Sequence, residues 1–219
     1  GSVDRRPFKS SYTVMEPMAT ISPTMMNVLY AGISNPISIS VPGVPMTAVN
    51  ATMTNGTLSR NGDHWVALPG KVGTEAVISV TATLDGRSQQ VGSMTFRVRK
   101  LPDPTPYLAV KDAAGNTVHY KGAPKRISKA ALMAADGLGA AIDDDILNVT
   151  YQVVSFSTVF FDQMGNAIPE LSEGSRFSAR QREQFKRLKA GKSFFISGVK
   201  AKGPDGITRD ISPMEVALN

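Results

Sequence analysis

The feature of this sequence that most limits its possible folds is a set of short segments in which apolar and polar residues alternate. The segment 37–41, ISISV, places isoleucine and valine on one side and serine on the other. The segments 78–84 and 94–98 alternate in the same way. Because successive side chains of a strand point to opposite faces of a sheet, each segment predicts a β-strand with one buried face. The 14 prolines and 19 glycines are spread along the chain and indicate frequent turns.

The first hundred residues predict one β-sandwich. Asp85 and Gly86 separate two alternating segments and are typical of a hairpin turn. We expect Pro36 and Pro42 to delimit the 37–41 strand, because proline is accepted at strand ends. Further short apolar segments lie at 28–30, 49–53 and 65–68. About seven short strands joined by turns are typical of an immunoglobulin-like sandwich, which we predict for residues 1–101.

A proline-rich segment interrupts this pattern. In RKLPDPTPY, the three prolines at 102, 104 and 106 cannot donate ladder hydrogen bonds, and they favour an extended backbone. We therefore predict a short, stiff linker at 102–106 and a second β-rich domain at 107–219.

The second domain mixes strands with one or two short helices. The segment 108–120 predicts a hairpin with its turn at 115–116, and 128–137 predicts a helix from Ser128 to Gly137. The segment 147–161 predicts a long strand whose alternation changes phase, which indicates a bulge or burial of both faces. The segment 178–191 predicts a helix capped by Ser178 and ended by Gly191. Two closing strands are predicted near 194–201 and 208–218. The predicted fold is thus mainly β, with two tandem immunoglobulin-like β-sandwich domains.

The candidate reactive side chains do not form a catalytic pattern. Cysteine is absent, and the two histidines are His64 and His119. The cluster Asp143-Asp144-Asp145 has no spacing typical of a calcium loop and is interpreted as a solvated loop. His64 lacks a G-x-S-x-G nucleophile motif, His119 is expected to be a partly exposed strand residue, and Trp65 is expected in the core. The segment 137–139 is assigned to helix termination, since it lacks a phosphate-loop pattern. We predict no catalytic, cofactor-binding or metal-binding residue.

Positive charge is concentrated near the carboxyl end of the chain. Residues 176–202 contain nine Lys or Arg residues and one acid, Glu183, whereas the whole chain carries a net charge of +6. A solvated helix face is the simplest interpretation, and a docking surface for an acidic partner is the functional one. The residues of that hypothesis are Arg176, Arg180, Arg182, Lys186, Arg187 and Lys189. Nucleic acid is a weaker alternative, because no recognised module surrounds these residues.

No apolar run is long enough for membrane insertion. Gly1-Ser2 resembles a cloning remnant, so we expect the natural protein to begin earlier.

Three segments, in order, resemble those of the GldM/PorM family. They are NVLYAGISNPISISVPG at 27–43, FRVRKLPDPTP at 96–106 and LKAGKSFFISGVKAKGPDGITRDISPM at 188–214. The resemblance implies the distal periplasmic part of an inner-membrane-anchored component of the type IX secretion and gliding machinery. It further implies a homodimer, a GldL (PorL) motor partner for the membrane part and a ring of GldK/GldN (PorK/PorN) proteins. It implies no catalytic residue and no cofactor.

Two other function classes remain open at this point. A surface adhesin or carbohydrate-binding module requires exposed aromatic residues on one sheet face, for which the sequence offers one Trp and five Tyr. A metal-dependent hydrolase requires Asp143–Asp145 and His119 to meet around an ion. Glycan binding and calorimetric titration with metal ions discriminate between these alternatives.

Overall fold

The computed structural model describes residues 26–84, 86–112, 114–143 and 147–219. The strands of the first domain are β1 Val28–Tyr30, β2 Asn35–Ile37, β3 Val49–Met53, β4 Gly56–Asn61, β5 His64–Pro69, β6 Glu75–Leu84 and β7 Arg87–Arg99, with a 3-10 turn at Met46–Ala48. The elements of the second are β8 Thr105–Lys111, β9 Thr117–Tyr120, β10 Arg126–Ile127, α1 Lys129–Ala134, β11 Leu138–Asp143, β12 Asn148–Phe161, β13 Ala167–Glu173, α2 Ala179–Arg187, β14 Ser193–Lys202, β15 Thr208–Ile211 and β16 Met214–Leu218.

The first domain is a sandwich of two sheets, as predicted. One sheet has the order β1-β7-β6-β3 and the other β2-β5-β4. Ile78 of the first sheet and Trp65 of the second are both buried and belong to the same apolar cluster. The predicted alternation of β6 is confirmed, because Ile78 and Ala82 are buried on one face. Asp85 of the predicted hairpin turn lies outside the described residues.

The strand predicted at 37–41 differs from the observed one. The strand β2 is Asn35–Ile37 and lies at the edge of its sheet, where it pairs with β5. Pro36 is therefore inside a strand, which an edge position tolerates because one side needs no ladder donor. Ile39 packs against the Trp65 cluster, yet residues 38–41 have no strand assignment. The alternation at 38–41 therefore reflects which side chains are buried, although these residues form no strand.

The second domain is built on one continuous sheet that encloses a single core. Its order is β10-β16-β14-β12-β11-β8-β9, with β13 beside β12 and β15 beside β14. The largest fully buried side chains include Phe156, Phe185 and Phe194, which come from β12, α2 and β14. The predicted phase change in β12 is confirmed, since its pairing with β14 shifts register between Val153 and Ser157. The bulge lets Val153 and Phe156 face the same core.

Both predicted helices are present, and each ends earlier than predicted. The helix α1 ends at Ala134, and Gly137 instead forms an isolated bridge with Arg176. A Cβ on Gly137 would come within 1.9 Å of the Ser175 carbonyl oxygen, so this close backbone approach requires glycine. The helix α2 ends at Arg187 with Leu188 as its cap. Gly191, with φ at +76°, shapes the turn that follows.

The two domains make contacts on both sides of a short connection. Thr105 and Pro106, predicted as linker, already belong to β8 and pair with β11. Leu101 is fully buried in the core of the second domain. Tyr30 and Ile33 of the first domain pack against that same core. Apolar packing thus continues from one domain into the other.

A buried ion pair anchors this joint. The Arg209 guanidinium lies 3.1 Å and 2.5 Å from the two Asp205 carboxylate oxygens, and both side chains are less than a tenth exposed. Arg209 Nε is also 3.4 Å from Asp103 Oδ1 in the connection. The Tyr151 hydroxyl donates to the Pro102 carbonyl at 2.9 Å. The connection is therefore held by side chains of the second domain.

Gly32 brings the first domain against the same ion pair. Its φ is +79°, and a Cβ at this position would lie 2.2 Å from Asp205 Cβ. The Asn35 side chain holds the loop, because its amide donates to the Tyr30 and Ile33 carbonyls at 2.9 Å each. The segment 29–35 therefore forms the first-domain side of the joint.

Candidate partner-binding surface

The helix α2 carries four of the six basic residues of the predicted docking surface. Its first turn is closed by a capping box, in which Ser178 Oγ accepts from the Gln181 backbone and the Gln181 side chain accepts from Ser178 N–H. Phe185 is fully buried and packs edge-on against Phe177 with ring centroids 4.8 Å apart. The cap and the aromatic anchor fix which face of α2 is exposed.

Four of the six predicted residues are exposed on α2 or just after it. Arg180, Lys186 and Arg187 are exposed on α2, and Lys189 is exposed just after it. Arg176 is exposed but lies before the helix, at the bridge to Gly137.

Several of these cations already have intramolecular partners. Arg182 donates to the Met133, Ala135 and Asp136 carbonyls at 3.3–3.4 Å, and so ties α2 to the end of α1. Lys186 pairs with Glu183 at 2.6 Å, and Arg180 is 3.9 Å from Glu170. Arg182 is thus a packing residue more than a docking residue.

Two lysines near α2, Lys129 and Lys192, are not among the six predicted residues. The Lys129 ammonium donates to the Lys186 and Leu188 carbonyls at 2.6 Å and 3.0 Å. It satisfies the free carbonyls at the end of α2 and places a cation where the helix dipole favours one. Lys192 is exposed in the turn before β14. Only the tertiary fold indicates that Lys129 belongs to this region.

Asp143, the residue of the acidic cluster that the structure describes, is held by Lys121 and His119. Asp143 accepts from Lys121 at 2.5 Å and lies 2.8 Å from His119 Nδ1, while Asp144 and Asp145 lie outside the described residues. The hydrogen bond from Lys121, followed by that from His119, lowers the pKa of Asp143 below its ordinary value. His119 is partly exposed, as predicted, and stacks on Tyr107 at 3.7 Å. No cluster of metal-ligating side chains is found within the described ranges.

The two remaining candidates, His64 and Trp65, both lie on β5. His64 is half-exposed and 3.0 Å from Asp63, which is almost fully exposed. Trp65 is 4% exposed and belongs to the core, as predicted, so it offers no stacking platform for a sugar ring.

Two family models match the chain along nearly its whole length. The GldM third domain matches residues 18–99, and the GldM C-terminal domain matches residues 102–219. The chain belongs to the GldM family. The matches meet at the joint described above. No curated protein matches the chain with significance.

Membership of the GldM family makes the chain a component of the gliding and type IX secretion machinery. The GldM family is a structural part of that system and is not a known enzyme family. Its proteins are membrane-anchored and have periplasmic domains. In the part of the chain that the structure describes, neither helix has the length and apolar character needed to cross a bilayer.

Proposed function

We propose that this chain is the distal segment of a periplasmic shaft. It links a proton-driven motor in the inner membrane to a ring of GldK/GldN (PorK/PorN) proteins under the outer membrane, and it acts through protein contacts. The observation that carries this proposal is the match of two consecutive GldM domains to the two tandem domains of the fold. The membrane part, with its GldL (PorL) partner, would precede this segment.

The joint between the domains suits a shaft. A segment that transmits force must resist bending, and here the connection is short, apolar packing crosses it, and the buried pair of Asp205 and Arg209 lies against Gly32. Ladder-paired strands with buried cores open cooperatively, so each domain resists local unfolding.

Capture of the ring proteins tests the proposed role. The 219-residue chain, immobilised as bait in an extract of the cell envelope, is expected to retain the ring proteins, identified by mass spectrometry. The charge reversals Arg180→Glu and Arg187→Glu should weaken capture, because complementary charge speeds association. Reversal of Lys71 and Lys202, exposed elsewhere, is the matched control. If the unchanged chain captures no ring protein, the proposed role is wrong.

We also propose that the shaft is a homodimer. A second copy would add stiffness, and closed two-fold dimers are the commonest assemblies of identical chains. Light scattering after size-exclusion chromatography is expected to give about twice the chain mass of 23.4 kDa. A monomer at micromolar concentration would contradict the dimer.

A further inference from the structure

A cleft lies beside the carboxyl end of α2, where it borders the basic residues. It has a volume of about 390 Å³ and lies between the end of β12 and the connection from α2 to β14. Phe160, Phe161 and Leu188 supply its apolar walls. Arg187, Lys189 and Lys192 supply the cations that line it. Its volume falls within the range of pockets that take ligands.

Within the described residues, the three cations of the cleft have no ion-pair partner. Among the residues that the structure describes, no carboxylate comes within ion-pair distance of Arg187, Lys189 or Lys192. Among the described residues that line the cleft, the one acid is Asp162, and its carboxylate is hydrogen-bonded within its own turn. Its oxygens accept from Met164 N–H, from Asn166 N–H and from the Asn166 amide, each at 2.8 Å. The cleft therefore carries an excess of positive charge.

Both walls of the cleft are held in place before any ligand binds. The Asp162 hydrogen bonds close the turn between β12 and β13. On the other side, Gly191 N–H donates to the Leu218 carbonyl at 3.2 Å, and Leu218 N–H donates to the Lys192 carbonyl at 3.0 Å. Because the backbone of both walls is already held, less conformational entropy is lost on binding than with mobile walls.

Phe161 provides an exposed apolar contact at the mouth of the cleft. It is 53% exposed, and it meets Phe195 edge-on with ring centroids 6.2 Å apart. A large side chain that is exposed beside unpaired cations favours a ligand that is both apolar and acidic.

We propose that this cleft binds an extended acidic peptide segment of a protein partner, with one apolar side chain between Phe161 and Leu188 and neighbouring carboxylates on Arg187, Lys189 and Lys192. The inference rests on the proposed function, of which it names the docking site and the partner's chemistry. The Arg187 guanidinium can donate two parallel hydrogen bonds to one carboxylate, and an acidic peptide supplies that carboxylate. A concave site with an apolar wall fits a membrane surface poorly, since lipid binding favours a protruding apolar face.

Fluorescence anisotropy with labelled peptides tests the cleft directly. The probe SDDLDS is compared with SNNLNS, which lacks the charges, and with SDDSDS, which lacks the apolar side chain. The intact 219-residue chain is expected to bind SDDLDS at least about tenfold more tightly than either control, with affinity falling as salt screens the charges. Equal binding of the three peptides, or no binding of SDDLDS, would overturn the proposal.

Matched variants locate the binding site. The double variant K189E/K192E should lose SDDLDS binding, whereas K71E/K202E, with the same change of net charge, should retain it. Phe161→Ser should weaken binding, whereas Leu171→Ser, which removes an apolar side chain that is 60% exposed outside the cleft, should not. Unchanged thermal unfolding of K189E/K192E confirms that the loss is local. Binding to phosphatidylglycerol vesicles through the same residues, without peptide binding, would assign the cleft to lipid instead.

The same variants separate the cleft from the proposed function. If the unchanged chain captures the ring proteins and K189E/K192E captures them equally well, the cleft proposal is wrong and the proposed function stands. If the chain binds SDDLDS but captures no ring protein, the cleft stands as an acidic-peptide site and the proposed function fails.

Discussion

Asp205 and Arg209 are the two residues whose charge and burial matter most at the joint. The side chains of both are less than a tenth exposed, and the Arg209 guanidinium also lies 5.4 Å from the centre of the Tyr151 ring. Removing one member of a buried ion pair leaves the other charge buried without a partner, which is strongly destabilising. An exposed pair contributes little, because water and salt screen it. The pair of Lys200 and Asp210 is of this second kind.

Arg209→Met should therefore destabilise the second domain by about 3 kcal/mol. Lys200→Met, on the neighbouring strand, should cost less than about 1 kcal/mol. Urea denaturation followed by circular dichroism measures both free energies of unfolding. Similar losses for the two variants would show that the Asp205 carboxylate is solvated in solution.

The Asp205 carboxylate also predicts how stability depends on pH. The hydrogen bond from Arg209 lowers the pKa of Asp205 in the folded chain. A lowered pKa contributes stability that is complete above the unfolded value of about 4 and is lost as pH falls through the folded value. Asp205→Asn should thus flatten the decline of the unfolding free energy below about pH 5. An unchanged slope would contradict this assignment.

The helix α2 shows how local sequence signals and tertiary packing combine in one element. Ser178 caps the helix as predicted, with Gln181 as the second member of a capping box, and Phe185 is buried. Gln181 has a second role that the spacing does not indicate, because its amide donates to the Glu170 carbonyl on β13 at 2.8 Å. The cap thus also attaches α2 to the edge of the sheet.

Ser178→Ala should lower the stability of the second domain by about 1 kcal/mol, since a helix N-cap is lost. That loss corresponds to a melting temperature lower by about 2–4 °C for a chain of this size. Ser212→Ala, at an exposed position outside the helices and strands, serves as control and should change the temperature little. Calorimetry measures both temperatures, and equal values for the two variants would argue against the capping box.

Alternation predicted strands well where a second strand was available to pair. The strand β6 lies between β3 and β7, and its buried face follows the sequence pattern. The segment 37–41 has the same pattern, but its strand assignment ends at Ile37. Helix ends were misplaced for a related reason. Gly137 and Gly191 resemble helix stops, but backbone contacts with Ser175 and Leu218 determine where they lie.

At the scale of the whole molecule, the joint determines whether the two domains behave as one rod. Gly32 lies where the first domain touches Asp205, so a side chain there would push the domains apart. Gly62 has a similar backbone, with φ at +65°, but a Cβ there would meet nothing within 4 Å. Comparing a substitution at Gly32 with the same substitution at Gly62 therefore distinguishes the effect of backbone strain from the effect of the interdomain contact.

Gly32→Ala should broaden the distribution of distances between the domains, whereas Gly62→Ala should not. Because the chain has no cysteine, Lys71→Cys and Lys202→Cys provide two unique sites for spin labels, one in each domain. Pulsed electron spin resonance, on labelled chains diluted with unlabelled ones, measures the distribution. A distribution that is already broad without the Gly32 change would contradict a rigid joint.

The class of fold, the two tandem domains, most strands, the capped helix and the family could be predicted from the sequence, because they depend on local periodicity, capping and motifs that are contiguous in the chain. Tertiary structure alone decided that Gly32 meets Asp205, that Arg209 reaches Asp103, and that Lys192 lines a cleft with Phe161. These contacts join residues that are far apart in the chain. No local pattern specifies them, since their geometry is determined only when separate strands pack around a common core.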